Sequence, residues 1–311
     1  MNKRSESGIC KLTGTHGPFV DSHIIPRALT RLSKTGEKYV EAGIGLGVQR
    51  RSDSWYDQKL VTQTGEDILS DIDSKGINEL RSHRLVWSGW DSDDWLGAGE
   101  LLAAESHAKH RLIRFTHPDE LRIFFLSLLW RAAASTRPEF SEIVLTENDL
   151  EDLGRRVLHQ DPGPPQDYPI QLFQLVTRGV AHNRTPLLER KRVINPDGSI
   201  GSEISYVRFY FDGLVSHILL NRQHELGLHY RNTCLGFTDD MIVFAHEFEQ
   251  SRAAANTKEM AIAVSRQLYT PDQKLSSISA AVKTCWSMSD SPPRPLLPLT
   301  TGKQPASKKV K

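Results

Sequence analysis

The feature that most constrains this chain is the stretch after Pro118, DELRIFFLSLLWRAAAS, its most apolar segment. Its residues favour helix, and a helix apolar on nearly every side has to be covered on every side. It is therefore expected to be the core helix. With 311 residues, 38% of them hydrophobic, the chain can bury one large core or two modest ones. No apolar run approaches the roughly 20 residues that a membrane helix needs, and the start, MNKRSESGICKL, lacks the apolar stretch of a signal peptide. The expectation is a cytoplasmic protein that does not partner a membrane.

Around that helix the pattern alternates between helix and strand chemistry. Residues 8–26 are short apolar pieces broken by Gly14, Gly17 and Pro18, which suits a small hairpin. Residues 40–54 read as an exposed loop or irregular strand, and Glu66 to Leu80 as a helix that Gly76 weakens. A tryptophan-dense stretch, LVWSGWDSDDWLG, is linker-like, and GELLAAESHAKHRLI after Gly99 reads as helix. Thr146 with Asp149 three places on is a helix N-cap, opening a helix through Leu150, Leu153 and Val157 that the Pro-rich segment after Asp161 stops. Strands follow: residues 170–179, then 206–211 and 214–220 flanking Asp212-Gly213, then 241–248. A turn is expected at Asn195 to Gly198, and a helix near 253–268. The fold class is α+β, a small N-terminal module followed by a helical segment and an antiparallel β-rich part. The division is residues 1–80, residues 81–270, and a disordered basic tail over residues 287–311.

Charge and cysteine use narrow the chemistry. Thirty-nine Lys and Arg against 38 Asp and Glu give a net charge of +1, so a nucleic-acid site would have to be local. Cys10, Cys234 and Cys285 lack short-spaced partners, which argues against a disulfide framework and for a reducing compartment. The chain has no GxSxG, P-loop or kinase signature, and His246-Glu247 lacks the second histidine of a zinc-protease helix.

One pattern at the N-terminus does carry chemistry. Cys10-Lys11-Leu12-Thr13-Gly14 followed by Asp21-Ser22-His23-Ile24-Ile25-Pro26 resembles the opening of HNH and treble-clef proteins, and Leu60 to Glu66 sits where their second cysteine pair begins a helix. Thr13, Thr62 and Gly65 stand at three of the four cysteine positions, so structural zinc is not expected. Ser22 to Pro26, Trp55-Tyr56-Asp57 and Phe124 to Ser135 together resemble a group of bacterial proteins, and several HNH-like genes of antiviral (phage) defence look similar.

The resemblance implies a ββα finger over residues 1–80 and metal-dependent phosphodiester hydrolysis, an HNH-type endonuclease. His23 would be the general base, and Asp57 falls where the family's middle asparagine often lies. Asp21 and Glu66 would hold a divalent cation, Mg²⁺ or Mn²⁺. In the family the acidic residue directly precedes the histidine, whereas here Ser22 stands there and Asp21 is one place early. Arg27, Arg50 and Arg51 are the candidates for tracking phosphates.

Plainer readings stand beside these. His23 also suits a hydrogen-bonded residue at the base of a hairpin, and Glu66 with Asp67 suits a first turn opposing the helix dipole. The arginines suit a solvated face, and Trp87, Trp90, Trp95 and Trp130 suit packing anchors as well as base-stacking platforms. The alternative to an enzyme is a module that kept the HNH-like fold, lost the activity and contacts protein or nucleic acid.

Overall fold

The computed structural model describes residues 6–30, 39–43, 47–51, 54–91, 93–97, 100–103, 109–180, 182–194, 200–220 and 228–268, apart from the side chains of residues 39–51, 103, 193–194, 200, 202, 228–229, 260–261 and 263–268. The turn expected at Asn195 to Gly198 and the tail 287–311 lie outside the described residues.

Strands β1 (Ser7–Ile9) and β2 (His16–Pro18) form an antiparallel hairpin whose turn includes Gly14 at φ 70°. Strand β3 (Ser22–His23) precedes a four-residue helix, α1 (Arg27–Thr30). A second hairpin, β4 (Tyr39–Gly43) with β5 (Gly47–Arg51), occupies the region read as loop or irregular strand. Strand β6 (Tyr56–Asp57) then returns to β3, with Ser22 opposite Asp57 and His23 opposite Tyr56.

Helix α2 (Gln63–Ser82) follows at once. It buries Leu69, Ile72 and Leu80 completely. Gly76 does not fray it: a Cβ there would lie 2.3 Å from Phe124 Cγ, so the missing side chain lets the next long helix approach. After β7 (Leu102–Ala103) and β8 (Lys109–Arg114), that helix is α3 (Pro118–Ala134). From Leu121 to Ala132 every α3 residue is buried, and each large apolar side chain contributes about 1.5–3 kcal/mol. Helix α4 (Glu147–His159) packs on it, with Thr146 Oγ1 accepting from Asp149 N at 3.1 Å as the N-cap.

The remaining strands are β9 (Ile170–Leu175), β10 (His182–Arg184), β11 (Leu187–Ile194), β12 (Ile200–Phe211) and β13 (Leu214–Leu219). After a short helix, α5 (Leu228–Arg231), come β14 (Asp240–His246) and helix α6 (Arg252–Leu268). Seven strands make one mixed sheet in the order β11-β12-β13-β9-β14-β8-β7, parallel only between β14 and β9. The turn between β12 and β13 has Asp212 at φ 48° and Gly213 at φ 79°, the positive pair that twists a two-residue hairpin correctly. Strand β10 joins β4 in parallel, making a small sheet with β5.

Two stretches differ from expectation. Residues 102–103 and 109–114 are strands, where Leu-, Ala- and Glu-rich composition favours helix. Pairing with β14 overrides that propensity, and Arg111 and Ile113 turn inward in strand alternation. The tryptophan-dense stretch is folded against the sheet: Trp87 Nε1 donates to Leu175 O at 3.1 Å and Trp90 Nε1 to Arg84 O at 2.7 Å. Both rings are buried, as packing anchors, while Trp95 is 58% exposed.

One face of the large sheet (Leu172, Phe209, Phe211, Leu214, Val243) meets α3, and a continuous apolar core runs from it through Phe124 and Leu69 to Cys10. The other face packs Tyr210 and Val215 against Trp87, Phe248 and the start of α6. Among the described residues no helix is long and apolar enough to cross a membrane.

Candidate functional site

The N-terminal hairpin and the start of α2 meet at one sulfur. Cys10 is fully buried, Thr13 N donates to its Sγ at 3.4 Å, and a Cβ on Gly65 would lie 2.8 Å from the same atom. Burial pushes the Cys10 thiol up, but the Thr13 hydroxyl and the N–H groups of Thr62, Thr13 and Leu12 outweigh it and hold the thiol below its ordinary value. Positions 10, 13, 62 and 65 thus converge, as the spacing of the two half-motifs requires. One thiol, two threonines and a glycine do not make a tetrahedral zinc set, so structural zinc does not fit. Packing around the sulfur does the joining instead.

The next residue along α2, Glu66, comes to β3. Its carboxyl shares an environment with Ser22, His23, Asp73 and Arg131. Burial raises the Glu66 pKa, and the Ser22 hydroxyl, Arg131 and His23 offset this only in part, while Asp73 adds to it. Ser22 is fully buried, and among the described residues neither its Oγ nor Glu66 Oε2 has a hydrogen-bond partner of good geometry. On the other side of His23, its ring lies 6.1 Å from that of Tyr56.

Arg131, 1% exposed in the last turn of α3, fixes this arrangement. Its Nη2 donates to Asp73 Oδ1 at 2.5 Å, and its Nη1 to Asp73 Oδ2 and to the His23 carbonyl at 3.0 Å each. The same guanidinium reaches Ser127 Oγ at 3.0 Å. A bidentate pair buried between α2 and α3 therefore holds the backbone of the histidine. Neither Arg131 nor Asp73 was among the residues singled out from the sequence. The signal was there: an arginine inside the most apolar helix needs a buried acid, and Asp73 lies two turns from Glu66 on α2.

Asp57 and Asp21 make contacts of their own. Asp57, 2% exposed, accepts from Thr136 N at 2.6 Å, Ser135 Oγ at 2.8 Å and Lys59 N at 2.8 Å, with Thr136 Oγ1 completing the set. Burial pushes its carboxyl up, but these donors outweigh that and hold it below the ordinary carboxylate value. Asp57 thereby fastens β6 to the end of α3, where Lys11 Nζ also donates to Ala134 O at 2.5 Å. Asp21 accepts from Gln58 Nε2 at 2.8 Å at the surface. Arg27 is exposed at the start of α1, and Arg50 and Arg51 contribute backbone to β5, their side chains lying outside the described residues. Among the described residues no three His, Cys, Asp or Glu side chains converge as a metal-binding group.

Comparison of the chain with protein-family models, with curated proteins and with solved structures returned no match.

Proposed function

We propose that the N-terminal module is a degenerate HNH finger, with β3, β6 and α2 as its ββα unit, and that His23 with Glu66 beside it hydrolyses phosphodiester bonds. The observation that carries this reading is the Glu66 carboxyl, held next to His23 with one buried oxygen unpartnered. Structures rarely leave a buried carboxylate oxygen unmet unless a ligand or a reaction uses it. The meeting of positions 10, 13, 62 and 65 around Cys10 supports the finger itself.

In this site the His23 imidazole takes a proton from the attacking water as the general base. Arg131, by holding the His23 carbonyl, keeps the ring's strand in register, and Asp73 keeps Arg131 in place. Glu66 is the oxygen donor suited to a hard divalent cation, which is commonly held by one or two carboxylates together with water and substrate phosphate. Such a cation, Mg²⁺ or Mn²⁺, would supply charge stabilisation at the scissile phosphate. Asp21, facing Gln58, is not needed for this.

The test is cleavage of labelled single- and double-stranded DNA and RNA by the full chain with Mg²⁺ or Mn²⁺, beside His23→Ala and Glu66→Gln. Cutting that depends on the cation and falls by about a hundredfold or more in either variant supports the proposal. Absence of cutting by the folded chain rejects it and leaves a binding module on the same scaffold.

A further inference from the structure

A second concentration of charge lies where β10, β11, β12 and the start of α6 meet, and nothing in the His23 site uses it. Glu189 on β11 is its central carboxylate: Oε1 pairs with Arg252 Nη1 at 2.7 Å, and Oε2 accepts from the Tyr206 hydroxyl at 2.7 Å, while Glu259 on α6 also attracts Arg184. Leu187 opposes Arg208 and Glu189 opposes Tyr206 in the ladder, so strand alternation puts Glu189 and Arg208 on the same face. Arg184, at the end of β10, interacts with both Arg252 and Arg208. Three guanidinium groups therefore gather at Glu189, with Glu259 beside Arg184 alone.

The partners do not balance. Arg208 is only 7% exposed, yet among the described residues neither its guanidinium nor that of Arg184 makes a hydrogen bond or a close ion pair. Directly across β12–β13 from Arg208 stands His217, its ring 4.5 Å from Phe173 and 4.4 Å from Tyr206 and its Nδ1 buried without a partner among the described residues. Burial, then Lys191, Arg208 and Arg252, push the His217 pKa down to about 3, so the imidazole is neutral and adds no charge of its own. A desolvated guanidinium without an acceptor is costly, and two carboxylates among three cations still leave an excess of positive charge. A tetrahedral oxyanion bearing more than one negative charge meets both deficits, since each guanidinium fork matches two phosphate oxygens.

We propose that Arg184, Arg208 and Arg252 form a phosphate-binding site, in which Glu189 and Tyr206 hold the arginines apart and ready. The phosphate group belongs either to a small nucleotide-like molecule or to a nucleic-acid backbone. The position suits the second source: Asn183, beside Arg184, donates to Thr30 O at 3.2 Å, seven residues beyond His23, and β10 shares its small sheet with β5, which carries Arg50 and Arg51. The site stands independently of any activity at His23.

Calorimetric titration of the full chain in EDTA with inorganic pyrophosphate and with a single-stranded oligonucleotide tests this. Arg184→Gln and Arg252→Gln are expected to weaken binding by about tenfold each, and Glu189→Gln to tighten it, because a competing carboxylate is removed. Arg208→Gln should do the same as Arg184→Gln, and the more exposed arginines keep the test valid if the buried variant fails to fold. Pyrophosphate binding comparable to the oligonucleotide's identifies a small ligand, and tighter oligonucleotide binding with steep salt dependence identifies a backbone; either supports the site. His23→Ala should bind as the parent does. The proposal is overturned if the folded parent binds neither probe at millimolar concentration, if the arginine variants bind unchanged, or if His23→Ala abolishes binding.

Discussion

Replacing Arg131 by Met is expected to cost more than replacing Arg131 and Asp73 together. In the parent the guanidinium is almost wholly buried and the Asp73 side chain is 17% exposed, joined by hydrogen bonds of 2.5 and 3.0 Å. Arg131→Met leaves that carboxylate mostly desolvated and unpaired, which costs about 3–5 kcal/mol. It also takes a donor from the His23 carbonyl, which adds about 1 kcal/mol. Asp73→Leu strands the guanidinium instead, at a similar cost, although His23 O and Ser127 Oγ still accept from it. The double variant Arg131→Met/Asp73→Leu leaves no unpaired charge and fills the volume with apolar atoms, so its loss should fall below that of either single change. The coupling energy should then be about 3 kcal/mol or more. Urea unfolding followed by tryptophan fluorescence gives all four values, with unchanged m-values as the check that the same surface is exposed. If the double variant loses the sum of the two singles, the pair is not coupled and the account of how His23 is held is wrong.

Other outcomes follow from the same packing. Gly65→Ala brings a Cβ to 2.8 Å from Cys10 Sγ and 2.9 Å from Val61 Cβ, so it should destabilise by about 1–3 kcal/mol, with part recovered in Cys10→Ala/Gly65→Ala, as thermal melting of both would reveal. Thr146→Ala removes the N-cap of α4 and should cost about 1 kcal/mol by chemical denaturation. Burial holds His182 at about 4 and His217 at about 3, below the ordinary value near 6.5, so both stabilise the fold above that pH and the contribution is lost as pH falls through their folded values. Asp212 runs the other way: burial raises it to about 6, so its contribution is complete below about pH 4 and is lost as pH rises through 6. Urea midpoints from pH 4 to 7 should therefore fall less steeply toward acid than the histidines alone dictate, and Asp212→Asn should steepen the acid loss.

The elements that the sequence made legible are those whose local signals agree with their tertiary setting. Helix α3 is apolar enough that only burial suits it, α4 carries its own N-cap, and the β12–β13 hairpin is announced by Asp212-Gly213. Strand β8 was illegible because its neighbourhood favours helix and its partner, β14, lies more than a hundred residues away. The tryptophan-dense stretch looked like a linker because its polar residues outnumber the aromatic anchors that decide its place. At the site, the half-motifs containing Cys10 and Thr62 could be read by spacing, and so could the approach of Glu66 to His23. The clamp that Asp57 makes on Ser135 and Thr136, and the pair of Asp73 with Arg131, join residues far apart in sequence, where no short pattern reaches.

The measurement that bears most directly on the account is an NMR titration of the Glu66 side-chain carboxyl in the parent and in His23→Gln. A Glu66 that titrates above the ordinary glutamate range, and higher still once His23 is replaced, is the expected result, because burial raises its pKa while the neighbouring histidine lowers it. A Glu66 that titrates like an exposed glutamate and is indifferent to His23 would contradict the claim that the two residues share one site.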